Sequence, residues 1–159
     1  MTTEHDLGFL ESAPHRVSIS RIVCAAPEQV WAVVSDHSTW TEWFVPTLRS
    51  AAAPSEPGWG FGSTRRVQMT TGMRVDERFI AWDEPRLWAF TATAVRPALF
   101  SGLVECVRIE PDGAVSMVTY TMAFAANWWS RPMMPVVRRS AARGLTKALA
   151  NLEPVAITR

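Results

Sequence analysis

The chain has 159 residues, a formal net charge of +1 and 48% hydrophobic residues. This length favours a single domain with a core of its own. The near-neutral charge provides no overall field that would attract nucleic acid. No apolar run approaches the roughly 18 residues of a membrane span. The first residues lack the basic and apolar regions of a signal peptide, so we expect a cytoplasmic protein.

The N-terminal part of the sequence predicts a tail and then a strand. Residues 1–14 are mostly polar and are expected to form a loose tail, which leaves residues 15–159 as the folded domain. From Arg16 to Cys24 apolar residues alternate with polar ones, as they do in a half-buried β-strand.

The next twenty residues predict two short helices set end to end. Pro27 suits a first helical position, and Thr39 with Glu42 fits a capping box that would start the second helix. Pro46 is expected to end it. The apolar side of the first helix consists of Val30, Trp31, Val33 and Val34, and that of the second of Trp40, Trp43 and Phe44. Helices this short and apolar are expected to form a plug that closes a larger structure.

Short breaks rich in Gly, Pro or Asp divide the middle of the chain into strand-like stretches. We predict strands over residues 48–53, 63–70, 73–82, 86–95, 103–110 and 114–125. Short turns between consecutive strands favour an antiparallel meander. The Gly-rich loop over residues 54–62 lacks the strand–turn–helix setting of a dinucleotide or phosphate site. We interpret it as a mobile flap tipped by Trp59 and Phe61.

The C-terminal part predicts one long helix that begins near Pro135, because the residues before proline avoid the helical region. Its apolar stripe recurs at steps of three and four and comprises Met134, Val137, Ala141, Leu145, Ala148 and Leu152. Gly144 lies in the same region, and a close approach of the helix to the sheet would explain it.

These elements, in this order, resemble the START-like (SRPBCC) superfamily, and most nearly its polyketide cyclase/dehydrase branch. The resemblance is carried by Ala26, Pro27, Val30, Trp31, Asp36, Trp40 and Trp43. It implies an α+β helix-grip fold, in which a curved seven-stranded antiparallel sheet surrounds the long C-terminal helix. It also places the seventh strand between those of Cys24 and Cys106, which we therefore expect to be free thiols.

The resemblance further implies an internal cavity that binds a small hydrophobic molecule, aromatic or polyketide-like. If the protein is an enzyme, it implies cyclisation or dehydration of a bound polyketide; the sequence leaves open whether it is one. No metal site is expected, because no His, Cys or Asp cluster has ligand spacing, and no cofactor is expected.

Two polar residues are the candidate catalytic groups. Glu105 shares the more apolar face of its strand with Leu103 and Val107, so we expect it to face the cavity. A buried carboxylate must be paired or protonated. Glu105 is either structural, paired with an inward arginine or placed near the wet mouth, or it is a general acid or ligand anchor with a raised pKa. Tyr120, the only tyrosine, is either a buried core residue or a hydrogen-bond donor to the ligand.

The candidate ligand-binding residues are large or apolar side chains expected on the cavity side of their elements. They are Trp40, Trp43, Trp59, Phe61, Trp88, Phe90, Val107, Val118, Met122, Val137, Ala141 and Leu145. Most of the eight tryptophans are expected to fill the core.

Two polar segments are interpreted as structural. The run Asp76-Glu77-Arg78 leaves the inward face of its strand undecided; we favour a solvated outer face, with Glu77 or Arg78 paired to Arg66. His37 is interpreted as a helix cap rather than a base.

Two alternative functions remain. Trp128 and Trp129 precede a helix that carries Arg138, Arg139 and other cations, a combination found at membrane interfaces. This favours transient membrane contact by a lipid or metabolite carrier that performs no catalysis. The other alternative is a protein-interaction module without a ligand, and a homodimer stays open.

Overall fold

The computed structural model describes residues 2–45, 47–52 and 59–158. Seven strands form one antiparallel sheet in the order β1-β7-β6-β5-β4-β3-β2. The strands are β1 His15–Val23, β2 Leu48–Ala52, β3 Thr64–Met69, β4 Arg74–Asp83, β5 Leu87–Arg96, β6 Phe100–Asp112 and β7 Val115–Ala126. The predicted curved sheet and its meander are confirmed.

The first strand closes the order at one edge by pairing with the last. His15 lies opposite Phe124 and Val23 opposite Ser116. This puts β7 between β1 and β6, and both cysteines are free: Cys24 is exposed after β1, and Cys106 is buried on β6. The prediction of two free thiols is therefore confirmed.

The long helix α4, Met134–Ile157, follows a 3-10 turn over Trp128–Met133. Pro135 occupies its first turn, where a missing N–H costs nothing. The helix packs against β1, β7 and two short helices, α2 Pro27–Val34 and α3 Trp40–Trp43. Its buried residues are Met134, Leu145, Ala148, Leu149, Leu152 and Ala156. Within the described ranges no helix is long and apolar enough to cross a membrane.

The two short helices confirm the predicted plug, but the capping box is wrong. The Thr39 hydroxyl donates to the carbonyl oxygens of Val33 and Asp36, each at 2.8 Å, and caps no helix. It ties α2 to the 3-10 turn over His37–Thr39. The Asp36 carboxylate performs the capping there, because it accepts a hydrogen bond from the Ser38 backbone N–H at 3.0 Å. Pro46 and most of the 54–62 loop lie outside the described residues.

The expectation of a loose N-terminal tail is corrected. A short helix α1, Phe9–Ser12, packs Phe9 against Val104 and Ala123 on the outer face of the sheet. The backbone N–H of His5 donates to the Thr91 hydroxyl at 3.0 Å. A hydrophobic contact and a satisfied buried hydroxyl therefore hold the segment, which its polar composition did not reveal.

Gly102 permits this packing, because a Cβ at its position would lie 2.4 Å from Nε2 of His5. Gly144 has a different setting from the one predicted. A Cβ there would find its nearest neighbour in the Thr47 hydroxyl oxygen, 3.8 Å away, which is an ordinary contact. No close approach of helix to sheet explains Gly144.

Aromatic side chains fill the end of the fold that the plug covers. The Phe79 ring lies edge-on to Trp82, Trp88 and Phe90, with centroids 5.2, 5.8 and 6.0 Å away. Phe79 is fully buried. Edge-to-face pairs add stabilisation beyond the area that they bury.

Replacing Phe79 with alanine should therefore lower the free energy of unfolding by about 3–5 kcal/mol, because it opens a cavity among rigid rings. The matched control is Phe61→Ala, which removes a ring that is 78% exposed and should change stability by less than about 0.5 kcal/mol. Urea unfolding followed by circular dichroism measures both. Equal losses for the two variants would contradict this account of the core.

Candidate functional site

A cavity of about 440 Å³ lies between the concave face of the sheet, α3 and the first half of α4. Most of its wall is apolar and comes from Phe44, Leu48, Val67, Met69, Met73, Val75, Phe90, Leu99, Phe100, Leu103, Met122, Val137, Ala141 and Leu145, with Trp40 at one end. Several of these side chains are only half-buried because they face the hollow. The volume is in the range of ligand pockets.

Exposed residues locate the mouth of the cavity. Thr70 and Thr71, in the turn between β3 and β4, and Ser140 on α4 line the cavity and are also exposed. A ligand would enter between this turn and the helix.

A hydrogen-bonded acid pair lies on the sheet wall. The Tyr120 hydroxyl on β7 donates to Oε2 of Glu105 on β6 at 2.5 Å. Tyr120 is fully buried, whereas Glu105 keeps some accessible surface, which it presents to the cavity that it lines. In β6 and β7 the alternation of a strand puts both side chains on the concave face.

A second polar group closes the inner end. Nε of Arg65 on β3 donates to Oε2 of Glu77 on β4 at 2.6 Å, and Nη2 of Arg65 lies 2.5 Å from the same oxygen. Arg65 lies directly opposite Glu77 in the β3–β4 pairing. Both are buried, with relative exposures of 3% and 4%. Only Glu77 of this pair lines the cavity.

The remaining surface of the Arg65 guanidinium is also occupied. Its Nη1 donates to Nδ1 of His37 at 2.6 Å, and its central carbon lies 3.9 Å from the centroid of the Trp40 ring. A guanidinium has no acceptor, so Nδ1 of His37 carries the lone pair and Nε2 carries the proton. That N–H has no hydrogen-bond partner among the described groups.

Burial determines the protonation of these groups. Loss of water raises the pKa of Glu77 and of Glu105 to about 7 each; Arg65 opposes the shift for both, and the Tyr120 hydrogen bond opposes it for Glu105. Burial and the Arg65 charge lower the pKa of His37 to about 2. Burial and the neighbouring Glu105 raise the pKa of Tyr120 well above its usual value. At neutral pH the site therefore holds a neutral imidazole, a phenol and two carboxyl groups poised to exchange a proton.

The structure brings eight of the predicted site residues together. Glu105 and Tyr120 line the cavity with Trp40, Phe90, Met122, Val137, Ala141 and Leu145. Four others are corrected to core positions, since Trp43, Trp88, Val107 and Val118 are buried but lie outside the cavity wall. The aromatic packing under the plug takes up the space that they would have lined.

The two predicted flap residues are also corrected. Trp59 lies against His37, with ring centroids 3.7 Å apart, and lines a separate, shallow depression with Trp31 and Trp82. Phe61 is 78% exposed and lies outside the cavity wall. Neither residue covers the cavity mouth.

The interpretation of Glu77 and His37 as outer-face and capping residues is wrong. Glu77 is buried against Arg65, while Arg66 pairs with Asp76 at 2.5 Å and Arg78 with Glu4 at 3.5 Å. The Arg65–Glu77 pair follows from the register across the short turn that joins β3 to β4. Counting outward from Thr71 pairs position 65 with position 77 and would have found it. Among the described residues no cluster of His, Cys, Asp and Glu could hold a metal ion.

A curled antiparallel sheet that grips one long helix and encloses a cavity defines the START-like, helix-grip class of domains. The chain belongs to the family described as "Polyketide cyclase / dehydrase and lipid transport", whose profile matches residues 14–156.

The relatives agree with this assignment. An uncharacterised protein of Mycobacterium tuberculosis (strain ATCC 25618 / H37Rv) is 29% identical over 146 residues, which cover 92% of this chain and 87% of that protein. The Zhui aromatase/cyclase from Streptomyces sp. R1128 is structurally similar, with a TM-score of 0.76, 17% identity and coverage of 91% of this chain and 94% of that one. A protein from Thermus thermophilus has a TM-score of 0.75, 16% identity and coverage of 91% and 98%. These structural likenesses show the fold.

The buried ion pair makes stability depend on pH. Because burial raises the pKa of Glu77 above its unfolded value of 4.5, its contribution to stability is fully present below that value and is lost as the pH rises through about 7. Arg65→Met removes the opposing cation and raises this pKa further. We expect the variant to lose about 3–5 kcal/mol of unfolding free energy at pH 8 and much less at pH 5.

Chemical denaturation at the two pH values measures this difference. The control is Arg66→Met, which removes the next arginine along β3 from an exposed pair and should cost less than about 1 kcal/mol at both. A loss for Arg65→Met that is the same at pH 5 and pH 8 would contradict the assignment.

Proposed function

We propose that the protein binds a small, largely apolar molecule, aromatic or polyketide-like, in the cavity, and that Glu105, assisted by Tyr120, transfers a proton during its cyclisation or dehydration. The observation that carries this proposal is the hydrogen-bonded Glu105–Tyr120 pair on a mostly apolar wall. A Glu105 pKa of about 7 suits a group that must both accept and donate a proton near neutral pH. The family and the aromatase/cyclase likeness support the same reaction class.

The reaction needs one cycling proton. The Glu105 carboxylate removes a proton from a methylene between two carbonyl groups, and the resulting enolate attacks a third carbonyl carbon to form the new C–C bond. The protonated Glu105 returns its proton to the alkoxide, which gives an alcohol. In dehydration Glu105 removes a second methylene proton and gives it to the departing hydroxyl, so water leaves and a C=C bond forms.

Tyr120 and the cavity wall assist without changing that balance. The Tyr120 hydroxyl, hydrogen-bonded to Oε2, leaves Oε1 of Glu105 to react and stabilises the charged carboxylate. The apolar wall holds a flexible chain folded, which supplies the entropic part of the catalysis.

The free thiols of Cys24 and Cys106 support a cytoplasmic location, where cysteines stay reduced.

Glu105→Gln should lower kcat on a poly-β-ketone thioester by about 10²–10⁴-fold, because general acid–base catalysis contributes that much. Its dissociation constant for the same compound should change by less than about threefold, since glutamine keeps the shape and an acceptor oxygen. The control Glu110→Gln makes the same change at an exposed position on the same strand. Single-turnover kinetics and calorimetry separate the two quantities. Full activity in Glu105→Gln removes this residue from the mechanism.

Membrane docking is a second proposed function, and the exposed apolar side chains beside the cavity mouth favour it. Trp128 is 79% exposed and Val136 72%, and Val136 lies one helical turn from Ser140 at the mouth. Exposed arginines surround them at positions 131, 138, 139 and 143. Tryptophan with basic residues suits the surface of an anionic bilayer, and a carrier would load or release its cargo there.

The protein should therefore co-sediment with vesicles of phosphatidylglycerol and phosphatidylcholine. Binding should fall by at least about tenfold in Arg138→Glu with Arg139→Glu, because each basic residue near an anionic surface contributes about 1 kcal/mol. Arg21→Glu with Arg108→Glu makes the same charge change at exposed positions on β1 and β6 and should leave binding intact. Equal binding of all three proteins, or of none, would rule out this surface.

A further inference from the structure

Polar groups are unevenly distributed around the cavity. Thr70, Thr71 and Ser140 lie at the mouth with Thr47, whose carbonyl oxygen accepts a hydrogen bond from the Thr70 backbone N–H at 2.9 Å, and the apolar side chains follow. At depth the wall carries, among the described residues, only Glu77, Glu105 and Tyr120 as polar side chains. A bound molecule that fills the cavity therefore places one end against two carboxyl groups and a phenol.

No cation faces the ligand at this end. Within the part of the chain that the structure describes, the cavity wall contains no lysine or arginine. Arg65 lies behind it, where Glu77, His37 and the face of Trp40 occupy its guanidinium. Glu105 has the Tyr120 hydroxyl as its partner rather than a cation. The cluster of Arg65, Glu77 and Glu105 therefore has one positive charge and two ionisable acids.

A ligand carboxylate or phosphate would meet a third negative group in this position without a partner. Like charges placed together in a desolvated interface repel strongly, and a buried anion needs a pairing cation or several donors. A hydroxyl has no such cost, because it can donate to a Glu105 or Glu77 oxygen and accept from whichever acid holds a proton.

From this arrangement we infer that the cavity selects apolar molecules that end in a hydroxyl group, such as a phenol, an enol or an alcohol, inserted hydroxyl first, and that it rejects molecules that end in a carboxylate. The inference rests on the proposed binding function and specifies its ligand class. The cavity would therefore distinguish a phenolic or enolic ligand from a fatty acid, which is also largely apolar but ends in a carboxylate.

Three naphthalenes with the same ring system test this selection by isothermal calorimetry at pH 8. We expect 2-naphthol to bind at least about tenfold more tightly than 2-naphthoate. We also expect 2-methoxynaphthalene, which cannot donate, to bind more weakly than 2-naphthol. Ala141→Trp, which fills the cavity from α4, should abolish binding of all three and so locates the site.

Glu105→Gln gives the matched change in charge. It keeps an acceptor and adds a donor, so 2-naphthoate should bind more tightly to the variant, and its difference from 2-naphthol should shrink to less than about threefold. Lowering the pH of the native protein to 5.5 should likewise tighten the binding of 2-naphthoate and reduce its difference from 2-naphthol. Glu105 and Glu77 gain protons below about pH 7, while His37 stays neutral, Tyr120 stays protonated and Arg65 stays charged.

The outcomes distinguish the inference from the proposed function. If 2-naphthoate binds the native protein at pH 8 as tightly as 2-naphthol, the selection is wrong although the cavity binds ligands. The selection is also wrong if 2-methoxynaphthalene equals 2-naphthol, since the hydroxyl is then not recognised. If none of the three binds, or if Ala141→Trp binds them all, the proposed binding function itself fails.

Discussion

One long helix is too narrow to cover seven strands, and the rest of this structure follows from that constraint. The strands must curl so that their apolar face meets α4, and the curl leaves a gap wherever the helix does not reach. Residues at one end of the gap fill it with rings. At the other end the side chains, among them Met69, Met73 and Met122, line the gap without filling it, and it remains as the cavity.

The plug decides which end is filled. Trp40 and Trp43 on α3 enter the concave face beside Trp88 and Phe79, and Trp43, Trp88 and Phe79 are completely buried. Trp40 serves two purposes, because one part of its ring covers the Arg65 guanidinium while another lines the cavity. Trp40 therefore lies between the packed core and the binding cavity, and the Arg65 guanidinium lies on the core side of it.

The elements were predictable from sequence, and the site only in part. Strict alternation in β6 and β7 was enough to place Glu105 and Tyr120 on the concave face. On β4 alternation puts Val75, Glu77 and Phe79 on one face, and all three are buried, but the mixed composition of both faces left the inward one undecided. Beyond Phe79 the pairing of β4 with β5 shifts register before Ala81. Such an irregularity resets which side chains point inward, so Phe79 and Trp82 contact each other across three positions. Composition alone could not show that Arg65 would be buried, since its partner depends on the β3–β4 register.

The same register explains why a buried ion pair can lie next to a binding cavity at tolerable cost. Removing two charges from water is unfavourable unless geometry and further hydrogen bonds compensate. Here the β3–β4 pairing sets Arg65 opposite Glu77, His37 accepts a further guanidinium hydrogen, and Trp40 covers the cation. A cation held by these three neighbours lies outside the cavity wall and does not meet a ligand. Its charge lowers the pKa of both nearby carboxyl groups, and its hydrogen bond lowers that of Glu77 as well. This offsets part of the effect of burial and leaves both groups able to exchange protons near neutral pH.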